Sequence, residues 1–236
     1  MAPSRGSTPK SWPANVAFLS DPVPSPALPT RLHRRYCSPL PLENRPDPSL
    51  CAIKVIASPP SHPALGQRGL FAARKLPQGT CVAHYVGVIH TEADADPSSD
   101  YDLALDRPEP DLLVSVDGQR SGGVARMIND FRGVRERANC AFELETVEVS
   151  PVAPGDDGKR VRMAVRVRTS CSRAQSDPAD AVPDREGQAA SFRSAALTPP
   201  RRGALRLVRQ RLLDGAPKLG RGRMTGSRFS RMHHSI

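Results

Sequence analysis

The sequence is short of aromatic residues, of patterned cysteines and of long apolar runs, and each shortage narrows what the chain can be. Phe, Trp and Tyr together supply 4% of 236 residues, while proline alone contributes 25 residues. That balance predicts one modest core with flanking segments too poor in apolar surface to order themselves, not a chain that is globular throughout. The five cysteines (Cys37, Cys51, Cys81, Cys140 and Cys171) contain no CxxC or CxC pair. Their scatter argues against a zinc cluster and against a disulfide framework, so no metal site is expected and a reducing compartment is. No 18-residue apolar stretch is present, and the first residues, MAPSRGSTPKSWPANV, lack the apolar run of a signal peptide. No membrane association is expected, and the expected location is the nucleus or the cytoplasm.

What the chain does have is positive charge, unevenly placed. The formal net charge is +10, and residues 171–236 carry 13 Lys and Arg against 5 Asp and Glu, a local excess of +8. A balance this basic favours acidic partners, nucleic acid foremost. The tail is low in complexity, and RRGALRLVRQRLLDG (201–215) places Leu205, Val208 and Leu212 at helical spacing among arginines. An isolated helix of that length is marginal in water. Residues 169–236 therefore read as a basic, disordered tail with a nucleic-acid contact as one available role.

Residues 1–50 also read as disordered. Eleven prolines fall between Pro3 and Pro48, at a density that interrupts both helices and sheet ladders. Order is expected from the short apolar run CAIKVIAS (51–58) onward. TCVAHYVGVIHT (80–91) follows the turn Pro77-Gln78-Gly79 and reads as one strand, and LLVSVDG (112–118) as another, stopped by Asp-Gly. CAFELETVEV sets Ala141, Leu144 and Val147 against Glu143, Glu145 and Glu148. RVRMAVRV alternates more cleanly, with Val161, Met163, Val165 and Val167 on one face and arginines on the other. The intervening VAPGDDGKR is a hairpin loop by composition, and GGVARMIN (122–129) is the one helical turn. Short strands with little helix predict a mostly β domain over 51–168.

Two blocks carry a resemblance to a known family. The first, HPALGQRGLFAARKLPQGTCVAHYVG, contains Arg68-Gly69, Leu70-Phe71-Ala72, Leu76-Pro77-Gln78-Gly79 and Tyr85-Val86-Gly87. Glycine admits close backbone approach to a ligand, and the N–H groups beside it can receive a carboxylate or nucleoside. The second block, residues 99–143, contains Tyr101, Asp117, Gly122-Gly123, the run Ala125-Arg126-Met127-Ile128-Asn129, and Asn139. In this order and spacing the two blocks resemble the first three quarters of a SET domain, the fold of S-adenosylmethionine-dependent protein-lysine methyltransferases. The resemblance implies a fold of short curved sheets, nuclear work on chromatin, and a histone or other lysine-bearing protein as substrate. It implies that Arg68, Gly69 and Phe71 sit at the cofactor, with Arg68 and Gly69 contacting it through backbone. Asn129 would bond the cofactor's amino-acid end, the Asp130 backbone would meet the adenine, and Arg126 would pack beneath. Tyr101 would line the channel through which the substrate lysine reaches the methyl group.

The sequence departs from that family in three places. Glycine stands at Gly66 where the family pattern would put it at Gln67, and Asp130 follows Asn129 where histidine is usual. After the strand RMAVRV the family's Gly-Glu-Glu segment and tyrosine-bearing final strand are missing: the chain's three tyrosines are Tyr36, Tyr85 and Tyr101, none beyond residue 168. The texture changes abruptly at Thr169, as a retained intron or a shifted reading frame would produce. The C-terminal pseudoknot cannot be built from family-like residues of this chain. Two readings of the domain follow, a methyltransferase and a catalytically dead protein- or chromatin-binding module, beside a third in which the basic tail binds nucleic acid.

Overall fold

The computed structural model describes residues 7–169, and the expectations for the tail after Thr169, the 201–215 helix included, lie outside the described residues. Eleven strands and one α-helix follow in chain order: β1 (Ala17–Phe18), β2 (Val23–Pro24), α1 (Thr30–Cys37), β3 (Cys51–Val55), β4 (Arg68–Ala72), β5 (Cys81–Tyr85), β6 (Val88–His90), β7 (Asp102–Glu109), β8 (Leu112–Asp117), β9 (Ser121–Gly122), β10 (Cys140–Glu148) and β11 (Lys159–Val167). They form four small sheets with strand orders β2-β6-β8-β7, β10-β11-β5, β3-β4 and β1-β9. The domain is mostly β, of short sheets, as the sequence indicates. No helix among the described residues is long and apolar enough to cross a membrane.

The single strand expected over 80–91 is two strands in two different sheets. The chain leaves the three-stranded sheet after Tyr85 and joins the four-stranded one at Val88, pairing with Asp117. Gly87 makes the exchange possible, because a Cβ there would lie 2.2 Å from the Asp117 carbonyl oxygen. The departure noted at Gly66 also has a local reason. Gly66 adopts φ +82 in the turn between β3 and β4, where its N–H donates to the Ile56 carbonyl, so the left-handed residue is Gly66 and Gln67 needs no glycine. The turn expected over 122–129 is a short 3-10 helix, Val124–Met127. Strand β7 did not stand out in the sequence because Pro108 interrupts it. It is the outer strand of its sheet, where a missing N–H is tolerated, and its pairing with β8 is irregular.

Residues 7–50 correct the expectation of a disordered N-terminal segment. Strand β1 pairs in parallel with β9 and β2 with β6, and α1 buries Leu32 and Tyr36 completely enough to join the main core. The prolines occupy places where an absent N–H is harmless. Pro24 ends an outer strand, Pro29 precedes the first residue of α1, and Pro48 starts a 3-10 turn capped by Asp47, whose Oδ1 accepts from the Ser49 N–H. Proline density marked irregular backbone, while Val16, Leu19, Leu28, Leu32, Tyr36 and Leu40 supplied the burial that fixes it.

That segment also changes the meaning of β11. The valine face packs into the core as expected, but the arginine face is covered rather than solvated. Arg162 is 3% exposed and donates to the carbonyls of Tyr36 and Ser38, at the C-terminal end of α1. Burial lowers its pKa to about 10. Arg160 is bidentate to Asp156 at 2.9 and 2.8 Å in the β10–β11 turn, and that pairing holds the Asp156 carboxyl well below the ordinary carboxylate range. On β10 the register places Glu143, Glu145 and Val147 on one face, opposite Ala164, Arg162 and Arg160 of β11. Leu144 lies on the other face and is 52% exposed, so it does not group with Val147 as the sequence suggested.

Candidate functional site

The expected site residues form two groups. In the first, Tyr101 precedes β7 and is held from three sides. Its carbonyl accepts from the Tyr85 hydroxyl at 2.8 Å and from the Gly118 N–H at 3.1 Å, and its own N–H donates to Ser99 Oγ at 3.1 Å. Tyr85 is 5% exposed, and burial foremost keeps its hydroxyl protonated and therefore a donor. Gly118 leaves room for it, since a Cβ there would come within 2.9 Å of the hydroxyl. The Arg126 guanidinium lies 4.2 Å from the Tyr101 ring centroid, its Nε donating to the Gly118 carbonyl at 2.8 Å and Nη2 to the Gln119 carbonyl at 3.3 Å. The charged end of Arg126, which the resemblance would pack beneath the cofactor residues, lies on the Tyr101 side.

Behind this group, His90 bridges the Thr91 carbonyl through Nδ1 at 2.9 Å and Asp102 Oδ1 through Nε2 at 3.1 Å. Burial disfavours a charged imidazole, yet Asp102, the Thr91 carbonyl and nearby Asp117 together raise its pKa above the ordinary value.

The second group gathers at a cleft between β4, β5 and the segment after the 3-10 turn. Asn129 Nδ2 donates to the Arg68 carbonyl at 3.2 Å, joining two motif segments 61 residues apart. Asn129 lines the cleft together with Cys51, Leu70, Val82, Ile128, Asn139 and Cys140. About 20 Å³ of it is enclosed, room for one water molecule and far below a nucleoside. Arg68 contributes its carbonyl to Asn129 while its side chain donates to the Ser11 carbonyl. Gly69 is buried opposite Lys54, and Phe71, half-buried, stands opposite Ala52; neither lines the cleft. The Asp130 carboxylate accepts from the Arg132 backbone N–H at 3.0 Å and pairs with the Arg132 guanidinium.

The cleft residues absent from the expected set were visible to different degrees. Leu70, Ile128 and Asn139 stand among the motif residues, Val82 and Cys140 lie within the blocks on strands whose facing depends on pairing, and Cys51 lies outside both blocks.

Residues 67–171 match the family model of the SET domain. The chain carries a SET domain. The matched span opens one residue before Arg68 and takes in Tyr101, Arg126, Asn129 and Asp130, so both groups fall inside it. No curated protein matches the sequence. Among solved structures the chain is similar to KRYPTONITE in complex with mCHG DNA and SAH, and to KRYPTONITE in complex with mCHH DNA, H3(1-15) peptide and SAH. In both cases identity is 21%, 53% of this chain and 22% of that chain are covered, and the TM-score is 0.35. The chain thus spans about a fifth of those proteins, and a likeness of this size leaves the assignment to the family match.

The chain's three tyrosines, two of them within the SET domain, are all accounted for. Tyr36 is fully buried and donates to Asp106 Oδ2 at 2.7 Å, Tyr85 donates to the Tyr101 carbonyl, and Tyr101 stacks under Arg126. None of them lines the cleft beside Asn129.

Proposed function

We propose that the chain is a SET-domain protein of the S-adenosylmethionine-dependent protein-lysine methyltransferase class whose cofactor wall is incomplete in this polypeptide. The observation that carries the class is the bond from Asn129 to the Arg68 carbonyl, which brings the two motif blocks to one cleft. The amide of Asn129 and the backbone of Arg68 and Gly69 are the groups that would hold the cofactor's amino-acid end. The cofactor supplies an electrophilic methyl group; the protein's part is to align a neutral lysine amine with it along the Tyr101 side. The incomplete wall is supported by the enclosed volume of the cleft and by the commitment of both buried tyrosines, Tyr36 and Tyr85, to other partners.

A histone as substrate and a nuclear location belong to this proposal through the family. A nucleic-acid contact rests on the +8 excess of residues 171–236 and predicts a binding constant that falls steeply with salt.

Calorimetric titration with S-adenosylhomocysteine tests the reading. Loss of one wall should weaken binding on the order of a hundredfold or more relative to a complete site. Grafting a family-like C-terminus after Val165 should restore binding and lysine methylation, and Asn129→Ala in the graft should abolish both. Low-micromolar binding by the present chain refutes the incomplete wall. A graft that folds and binds cofactor yet methylates neither histones nor peptide libraries refutes the enzyme class and leaves a catalytically dead binding module.

A further inference from the structure

A second cluster of chemically capable side chains lies away from the cleft, on the arginine-bearing face of the β10-β11-β5 sheet. Cys81 and His84 are three residues apart on β5, and in a regular strand they would point to opposite faces. The pairing with β11 slips between them: Ala83 stands opposite Val165 and Cys81 opposite Arg166, leaving Val82 as an extra residue. This bulge turns Cys81 onto the same face as His84. Glu145 reaches the pair from β10, across β11.

One ligand atom from each residue, Cys81 Sγ, a ring nitrogen of His84 and a Glu145 carboxylate oxygen, lies within 4.8 Å of the other two. His84 Nε2 is 3.2 Å from Glu145 Oε2. Zinc bonds of about 2.0–2.3 Å in tetrahedral geometry set neighbouring ligand atoms roughly 3.3–3.6 Å apart. The His–Glu edge already has nearly that length, and the thiol needs a shift of about 1.5 Å at most to complete a triangle. The second carboxylate oxygen, Glu145 Oε1, accepts from Arg166 Nη2, while Arg166 Nη1 donates to the Gly79 carbonyl at 3.1 Å. The carboxylate is thereby oriented from behind with Oε2 left toward the pair, the arrangement that outer-shell partners give to metal ligands. His84 is 8% and Glu145 26% exposed in their side chains, so the cluster is sheltered but reachable.

We propose that Cys81, His84 and Glu145 bind one zinc ion, with the fourth coordination position open to water. Binding places the metal between Oε2 and Nε2, breaks their direct contact, shifts the proton that Nε2 donates to Oε2 onto Nδ1, and releases the thiol proton to solvent. Thiolate and carboxylate together neutralise the dication, and Arg166 stays on the outer oxygen. The ion would tie the bulged strand β5 to β10 across β11. Val82 of that bulge lines the cleft, and Tyr85 at the end of β5 fixes Tyr101. The proposal rests on these three side chains and not on methyl transfer.

Cobalt(II) titration of the reduced full-length chain, followed by zinc displacement, tests it. The expected result is a thiolate-to-cobalt charge-transfer band with ligand-field bands of tetrahedral intensity, saturating at one equivalent and bleached by zinc. Cys81→Ser should remove the charge-transfer band, and Glu145→Gln should weaken cobalt affinity at least tenfold, each variant being checked for folding by circular dichroism. Absence of the band in the parent protein overturns the proposal. So does its persistence in Cys81→Ser, which would place the metal on another thiol. If Cys81→Ser does not fold, Glu145→Gln decides, and an unchanged affinity in that variant overturns the assignment.

Discussion

The two ends of the SET-domain site differ in how completely they are held. Around Tyr101 the contacts are several: Tyr85, Gly118 and Ser99 fix its backbone, and Arg126 both stacks on the ring and closes on two carbonyls. Around Asn129 a single 3.2 Å bond spans the motif blocks, and the cleft beside it encloses space for one water. The difference follows from where each end is built. The Tyr101 end lies where β7 and β8 meet the end of β5, and strand pairing fixes it there. Among the described residues the Asn129 end is a lip between β4 and β5.

Breaking the well-held end should therefore damage the fold, and breaking the other should not. The largest effect is expected from Gly87→Ala. Its added methyl meets the Asp117 carbonyl, a backbone atom that cannot rotate aside, at the point where the chain changes sheets. Destabilisation of about 3 kcal/mol or more is expected in urea unfolding. Gly79→Ala, by contrast, has open space around it and should show only the smaller strain of its φ of +84.

A direct comparison of the two ends comes next in size. Arg126→Ala should lose about 2 kcal/mol, since two hydrogen bonds from a charged group and a ring contact disappear together. Asn129→Ala should lose about 0.5 kcal/mol, because its one bond is solvent-exposed. Equal losses by urea unfolding in the two variants would show that the lip is as integral to the fold as the Tyr101 corner.

The smallest effect concerns pH and sharpens the same contrast. His90 sits under the Tyr101 end, and Asp102, the Thr91 carbonyl and Asp117 outweigh burial to raise its pKa. A group with a raised folded-state pKa contributes fully below its unfolded value of about 6.5, and the contribution is lost as pH rises through the folded value. The melting temperature should fall over that window. His90→Gln should flatten the slope, and an unchanged slope in that variant would assign it to another group.

The SET motif blocks were legible because their order and spacing are properties of the chain itself. So were strands β8, β10 and β11, whose apolar spacing or flanking turns announce them locally. The facing of β10 was less legible, because a three-residue recurrence of apolar side chains concealed the period of two that pairing with β11 imposes. The split of 80–91 into β5 and β6 was hidden too, since it depends on the Asp117 carbonyl lying against Gly87. Of the candidate site, the sequence singled out Asn129, Arg68, Tyr101 and Arg126 as candidates but not their grouping. Arg126 sits three residues from Asn129 yet is drawn to Tyr101 by carbonyls at Gly118 and Gln119.

By itself, then, the sequence determined the family and a mostly β domain, and it named candidate residues for both ends of the site, because these follow from local pattern and motif order. Tertiary structure alone decided that the proline-rich residues before β3 are part of the fold. The apolar side chains of that segment find partners only when β6, β9 and β11 are already in place. It also decided that Arg160 and Arg162 of β11 are buried and that Cys81, His84 and Glu145 converge. Both depend on pairing between strands tens of residues apart, and pairing of that range is settled by burial and register rather than by neighbours in the chain.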